Sequence, residues 1–97
     1  MKLKDFEWQT KKPWIKTEEA GGQIILNFGN YELSIIDDGY GGTQGLYEIC
    51  VFKDSEMKEL PGITNEGDTV KGWLTESDVD AIIMKMYSIT GKEPTQI

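Results

Sequence analysis

The sequence predicts an α+β domain, an antiparallel β-meander of about four strands with a carboxy-terminal helix packed on one face. Three observations carry this. Gly29-Asn30 stands between two alternating apolar runs, and such a dipeptide is a strong hairpin signal because a two-residue turn needs positive φ. Residues 46–53, LYEICVFK, form an aromatic and β-branched run bounded by turn residues, which is the composition of a strand. Val79, Ile82, Ile83 and Met86 stand at i, i+3, i+4 and i+7, the spacing that gathers side chains into one helical stripe. At 97 residues the chain reads as a single domain around one core.

In chain order, residues 1–20 read as an amino-terminal arm or an edge hairpin. Leu3, Phe6, Trp8, Trp14 and Ile15 are interrupted there by a Lys11-Lys12-Pro13 turn signal. Lysines on an edge strand would also discourage sheet-to-sheet association. A polar, glycine-ended lead over 18–22 opens the central hairpin, residues 23–38. With Gly29 and Asn30 as the turn, Phe28 faces Tyr31, Leu26 faces Leu33 and Ile24 faces Ile35, so their side chains share one face. The other face holds Ile25, Asn27, Glu32, Ser34 and Ile36, a mixture that predicts partial cover. A one-residue slip would turn the apolar face away from the core, so the register should be strongly held.

Residues 37–45, DDGYGGTQG, make a glycine-rich loop. A phosphate cradle would open a helix, whereas this loop leads to a strand and carries two aspartates that repel an anion. A calcium loop needs a spacing of oxygen ligands that is missing here. The loop therefore reads as a strand connection and as the place for a binding surface. Tyr40 either folds back to cap the core or stands at the tip as an interface anchor. Asp37 and Asp38 would steer a displayed Tyr40 toward a basic patch. Asp37, Asp38 and Tyr40 are the candidate protein-contact residues.

The strand over 46–53 is apolar on both faces, which makes it the expected central strand. Asp54-Ser55 offers a tight turn into a short charged edge strand over 56–60, ended by Pro61-Gly62. Residues 63–68 read as a polar loop. Residues 69–74, TVKGWL, then deliver Trp73 and Leu74 to the core, with Trp73 buried against the helix stripe. Thr75 is a good N-cap with Asp78 three residues on, and Glu76, Asp78 and Asp80 place negative charge at the helix start. The helix should run over 76–89 and stop at Gly91, leaving residues 92–97 as a frayed tail. Met84 and Tyr87 fall off the apolar stripe and are the helical residues available for contacts.

Composition narrows the chemistry. The chain has no histidine and no arginine, so the commonest general base, the commonest transition-metal ligand and the bidentate phosphate clamp are missing. Its one cysteine, Cys50, sits in a strand pattern as a buried thiol. Net charge is −7 with a sequence pI near 4.5, against a broad nucleic-acid face. Residues 1–16 hold five lysines and two acids, for +3, while residues 17–97 hold five lysines and fifteen acids, for −10. The result is a basic arm on an acidic body. No apolar run is long enough to cross a membrane, and the start MKLKDFEWQ lacks the apolar core of a secretory signal. A cytoplasmic location follows as the expectation, with no cofactor and no metal.

From Asn27 to Ile89 the chain resembles a family of small uncharacterised proteins encoded by bacteriophages and prophages. The similarity rests on Phe28-Gly29-Asn30-Tyr31 at the hairpin, on the YGG-x-x-GLYE block from Tyr40 to Glu48 and its extension to Val51, and on Ile63-Thr64 followed by the GWLT-x-x-DV block from Gly72 to Val79. Departures are Asp37-Asp38 before the glycines, Cys50 in place of a usual alanine, and the looser Asn65-Glu66-Gly67-Asp68-Thr69 stretch. The resemblance implies a phage origin and an accessory role, without a mechanism. Taken with the composition, it favours a non-enzymatic protein that binds and modulates a host protein. The alternatives are an acidic mimic of nucleic acid, a small metal-dependent enzyme using Asp37, Asp38, Asp54 and Glu48, and a virion-associated structural module.

Overall fold

A computed structural model describes residues 1–10 and 21–97. The Lys11-Lys12-Pro13 turn, Trp14, Ile15 and the lead over 18–20 lie outside the described residues. The elements are β1 (Gln9–Thr10), β2 (Gly22–Phe28), β3 (Tyr31–Ile36), β4 (Tyr47–Lys53), β5 (Glu56–Met57), β6 (Val70–Leu74), α1 (Glu76–Thr90) and β7 (Thr95–Gln96). Short 3-10 turns stand at Leu3–Asp5 and Gly42–Gln44. The architecture is α+β, an antiparallel sheet with one helix packed against it.

The sheet is built on the predicted hairpin. β2 and β3 pair with Phe28 opposite Tyr31, Leu26 opposite Leu33 and Ile24 opposite Ile35. Of the two turn residues only Gly29 has positive φ, 85°, the pattern of a type II′ turn, which takes glycine first. β4 adds Val51 opposite Leu33 and Ile49 opposite Ile35, so the middle of one face across three adjacent strands is apolar, with Lys53 opposite Tyr31 at its end. Ile24, Leu26, Phe28, Leu33, Ile35, Ile49 and Val51 are all buried there. On the opposite face Ile25, Ile36 and Phe52 are half-buried and Ser34 is buried, the partial cover that its mixed composition predicts.

Short strands finish both outer edges. β1 and β7 lie along β2, while β5 and β6 lie along β4. β4 is thus flanked on both sides, although the middle of the sheet belongs to β3. Asp54 and Ser55 both take positive φ, 51° and 70°, which gives the primed turn into β5. That strand is two residues long rather than the expected five. Its continuation turns inward, since the Leu60 carbonyl accepts from the amides of Ile63 and Thr64 and Ile63 is fully buried. The stretch read as a polar loop therefore adds a core residue.

α1 follows its sequence signals closely. The Thr75 hydroxyl accepts from the Asp78 amide at 3.1 Å and the Asp78 carboxylate accepts from the Thr75 amide at 3.0 Å, a complete capping box. Val79, Ile82, Ile83 and Met86 are its buried residues, and Gly91 closes it in the left-handed conformation. The amino terminus is tied to the same helix, because the Leu3 amide donates to the Asp80 carboxylate at 2.7 Å and Leu3 is buried.

The carboxy terminus corrects the frayed-tail expectation. β7 pairs with β2, Gln96 opposite Leu26 and Thr95 opposite Asn27. The Ile97 amide donates to the Ile25 carbonyl at 3.0 Å, and Pro94 is buried. The edge of β2 has open backbone groups at that point, and the tail satisfies them.

Candidate functional site

The glycine-rich loop after β3 and the strand β6 meet at one end of the sheet. Asp37 begins the loop by lengthening the hairpin, since its carboxylate accepts from the Gly22 amide at 2.7 Å and its own amide donates to the Gly22 carbonyl at 3.3 Å. It is exposed but structurally engaged. Asp38 is exposed next to it, with its side chain against Gly21. The Tyr40 amide donates to the Glu48 carboxylate at 3.2 Å. Behind Tyr40, the Gly41 carbonyl accepts from Gln44 and Leu46, which folds the loop into its 3-10 turn.

The loop is locked to β6 by two glycines. Gly72 lies under Tyr40, where an added Cβ would come within 2.5 Å of the Tyr40 Cβ. Gly41, at φ 89°, lies against Trp73, where a Cβ would be 3.1 Å from both the Trp73 Cα and its ring Cε3. The Trp73 amide then donates to the Tyr40 carbonyl at 3.0 Å. Only backbones without side chains approach this closely. With the loop fastened this way, the Tyr40 side chain is 65% exposed. Of the two placements that the sequence left open, the structure adopts the displayed one.

Trp73 overturns a sequence expectation. It was expected in the core, yet it is 58% exposed. The pairing of β6 with β4 explains why. Tyr47 faces Leu74 and Ile49 faces Lys71, so two residues advance on β4 while three advance on β6. The extra residue is a β-bulge. It turns Leu74 into the core, where Leu74 is buried, and throws Trp73 out. Successive strand side chains point to opposite faces, so Trp73 and Leu74 could not both enter. The bulge also holds Trp73 at φ 60°, a conformation strained for a bulky residue. The signal available in the sequence was Gly72, an isolated glycine inside a strand pattern.

A third aromatic stands at this end of the sheet. The Trp8 ring stacks on Tyr47, with centroids 5.6 Å apart and planes 15° from parallel, and it fills the space over Gly22. Cys50, on the opposite face of β4 between Glu48 and Phe52, has its thiol pushed up by burial. Neighbouring Glu48 and Asp68 add to the shift, against a hydrogen bond with Thr69. The carboxylates of the enzyme alternative are split, because Asp37, Asp38 and Glu48 flank the loop while Asp54 lies in the turn at the far end of β4. Among the described residues no three His, Cys, Asp or Glu side chains converge as a metal set, and no helix is long and apolar enough to cross a membrane. The arrangement's chemical capacity is contact: two displayed aromatics on a fixed backbone beside two acidic side chains. Comparison of the chain with family models, curated proteins and solved structures finds no match.

Proposed function

We propose that this chain is a non-enzymatic binding protein whose contact surface is the rim formed by Tyr40 and Trp73. The observation that carries the reading is Trp73 itself, exposed on a left-handed backbone. Strain of that kind is retained where the surrounding structure over-determines it, and such residues concentrate at functional sites. Tyr and Trp supply large contact area at small entropic cost and dominate the energetics of interfaces. Asp37 and Asp38 beside them, in a chain of net charge −7, favour a basic patch on the partner and speed its approach. The resemblance to phage and prophage proteins supports an accessory role, with a host protein as the partner and the bacterial cytoplasm as the place of encounter.

Capture from bacterial lysate on the immobilised chain, followed by affinity measurements on the recovered partner, tests the reading. Tyr40→Ala should weaken binding by about tenfold or more, as loss of an interface anchor does. Asp37→Asn with Asp38→Asn preserves side-chain acceptors while removing charge, and should lower the association rate and flatten its salt dependence. Unchanged affinity in a folded Tyr40→Ala variant would remove the rim from the site.

A further inference from the structure

We propose that the Tyr40–Trp73 rim takes a short proline-rich segment in the polyproline II conformation, which rests on the reading of that rim as a protein-contact surface. The patch is small. Tyr40 is 65% and Trp73 58% exposed, so the two side chains offer on the order of 300 Å² between them. An interface between two folded proteins takes about 800 Å² from each partner. The loop positions around Tyr40, namely Gly39, Gly41, Gly42 and Gly45, carry no side chain to extend the patch. A linear segment suits such an area better than a second folded surface does.

The backbone of the rim selects the kind of segment. Strand addition needs an edge of open amides and carbonyls, and here internal partners have taken the groups beside the rings. The Tyr40 amide donates to the Glu48 carboxylate at 3.2 Å, and the Tyr40 carbonyl accepts from the Trp73 amide at 3.0 Å. Farther along the outer edge of β6, the Val70 carbonyl accepts from the Asn65 amide at 3.1 Å. A helix docks through anchors one turn apart laid in a groove, whereas this platform is two rings on adjacent backbones. A polyproline II segment requires neither edge nor groove. Its backbone is solvated and has no internal hydrogen bonds to lose, and it docks preformed on aromatic side chains. The rim is preformed as well, since Gly41 and Gly72 let the loop close directly on β6, and two ordered partners lose little freedom on binding. The tyrosine hydroxyl and the indole N–H each bring one donor for the carbonyls of the segment.

The test follows the tryptophan indole N–H signals of the isotope-labelled full chain during titration with end-blocked decaproline. That probe is uncharged, so the general attraction of a −7 chain for cations cannot imitate recognition. Trp73→Phe assigns the signal of Trp73. The expected result is a saturable shift of Trp73 at about 1 mM peptide, with Trp8, whose ring is stacked on Tyr47, unmoved. An end-blocked glycine-serine peptide of equal length should give no shift. Tyr40→Ala should remove the decaproline response over the same range, while Tyr87→Ala, at an exposed aromatic on α1, should leave it unchanged. The proposal is overturned if the glycine-serine peptide acts alike, if Trp8 moves as much as Trp73, or if a neutral glucose oligosaccharide shifts Trp73 and decaproline does not. Absence of decaproline binding overturns it too, and the partner captured from lysate then separates the two readings. Loss of that partner in Tyr40→Ala leaves the rim as a contact surface for another kind of ligand, whereas its retention removes the rim itself.

Discussion

At the scale of single residues, the contact rim depends on what two glycines leave out. Gly72→Ala places a Cβ within 2.5 Å of the Tyr40 Cβ, so the loop must move. A cost of roughly 1–3 kcal/mol follows from such overpacking, and urea unfolding measures it. Gly45 is the informative control, because it has positive φ of 74° but nothing within 4 Å of an added Cβ. Gly45→Ala should therefore show only the backbone penalty of about 1 kcal/mol, without displacing Tyr40. Cys50 makes a second residue-scale prediction. Burial raises its thiol above the ordinary value, so the thiolate is scarce near neutral pH and alkylation should be slower than for the same cysteine in the unfolded chain. Equal rates in the folded and urea-unfolded protein would contradict this placement.

Among the elements, the helix cap and the terminal strand yield separable tests. Thr75→Ala removes one half of the capping box and should cost about 1 kcal/mol. Asp78 is held below the usual carboxylate range by its hydrogen bonds with the Thr75 backbone and hydroxyl, with Lys71 assisting. Its folded value is lowered, so its contribution to stability is fully present above the unfolded value of about 3.9 and is lost as pH falls through the folded one. Asp78→Asn should flatten that part of the acid-unfolding curve. Truncation after Gly91 strips β7 from β2 and should both lower the midpoint in urea and promote association through the bared edge. What the sequence made legible follows from range. The hairpin register and the capped helix are written in neighbouring residues, and both were readable. The β7–β2 pairing joins Gln96 to Leu26 through two-residue strands that carry no pattern of their own. Tyr40 could be selected but its exposure could not, because that depends on Gly72 in a distant strand. Trp73 is exposed against expectation because its place just before the N-cap suggests a core position for it and Leu74 alike, whereas the extra residue in β6 admits Leu74 alone.

For the whole molecule, a three-strand apolar face under one helix is framed by short strands on both edges, which leaves little open backbone for uncontrolled pairing. The acidic body favours a basic partner over another copy of itself. Recognition is then concentrated in side chains rather than in strand addition, and the central claim is that Trp73 is held outward at a cost to stability. Equilibrium urea unfolding of the wild type, Trp73→Ala and Trp73→Gly tests this most directly. The account predicts that Trp73→Ala loses less than about 1 kcal/mol, since an exposed side chain leaves no cavity. It also predicts that Trp73→Gly is about 1 kcal/mol more stable than Trp73→Ala, because glycine relieves the left-handed backbone. A loss of roughly 3–5 kcal/mol in Trp73→Ala, the cost of deleting a buried tryptophan, with glycine no better than alanine, would contradict the account and return Trp73 to the core.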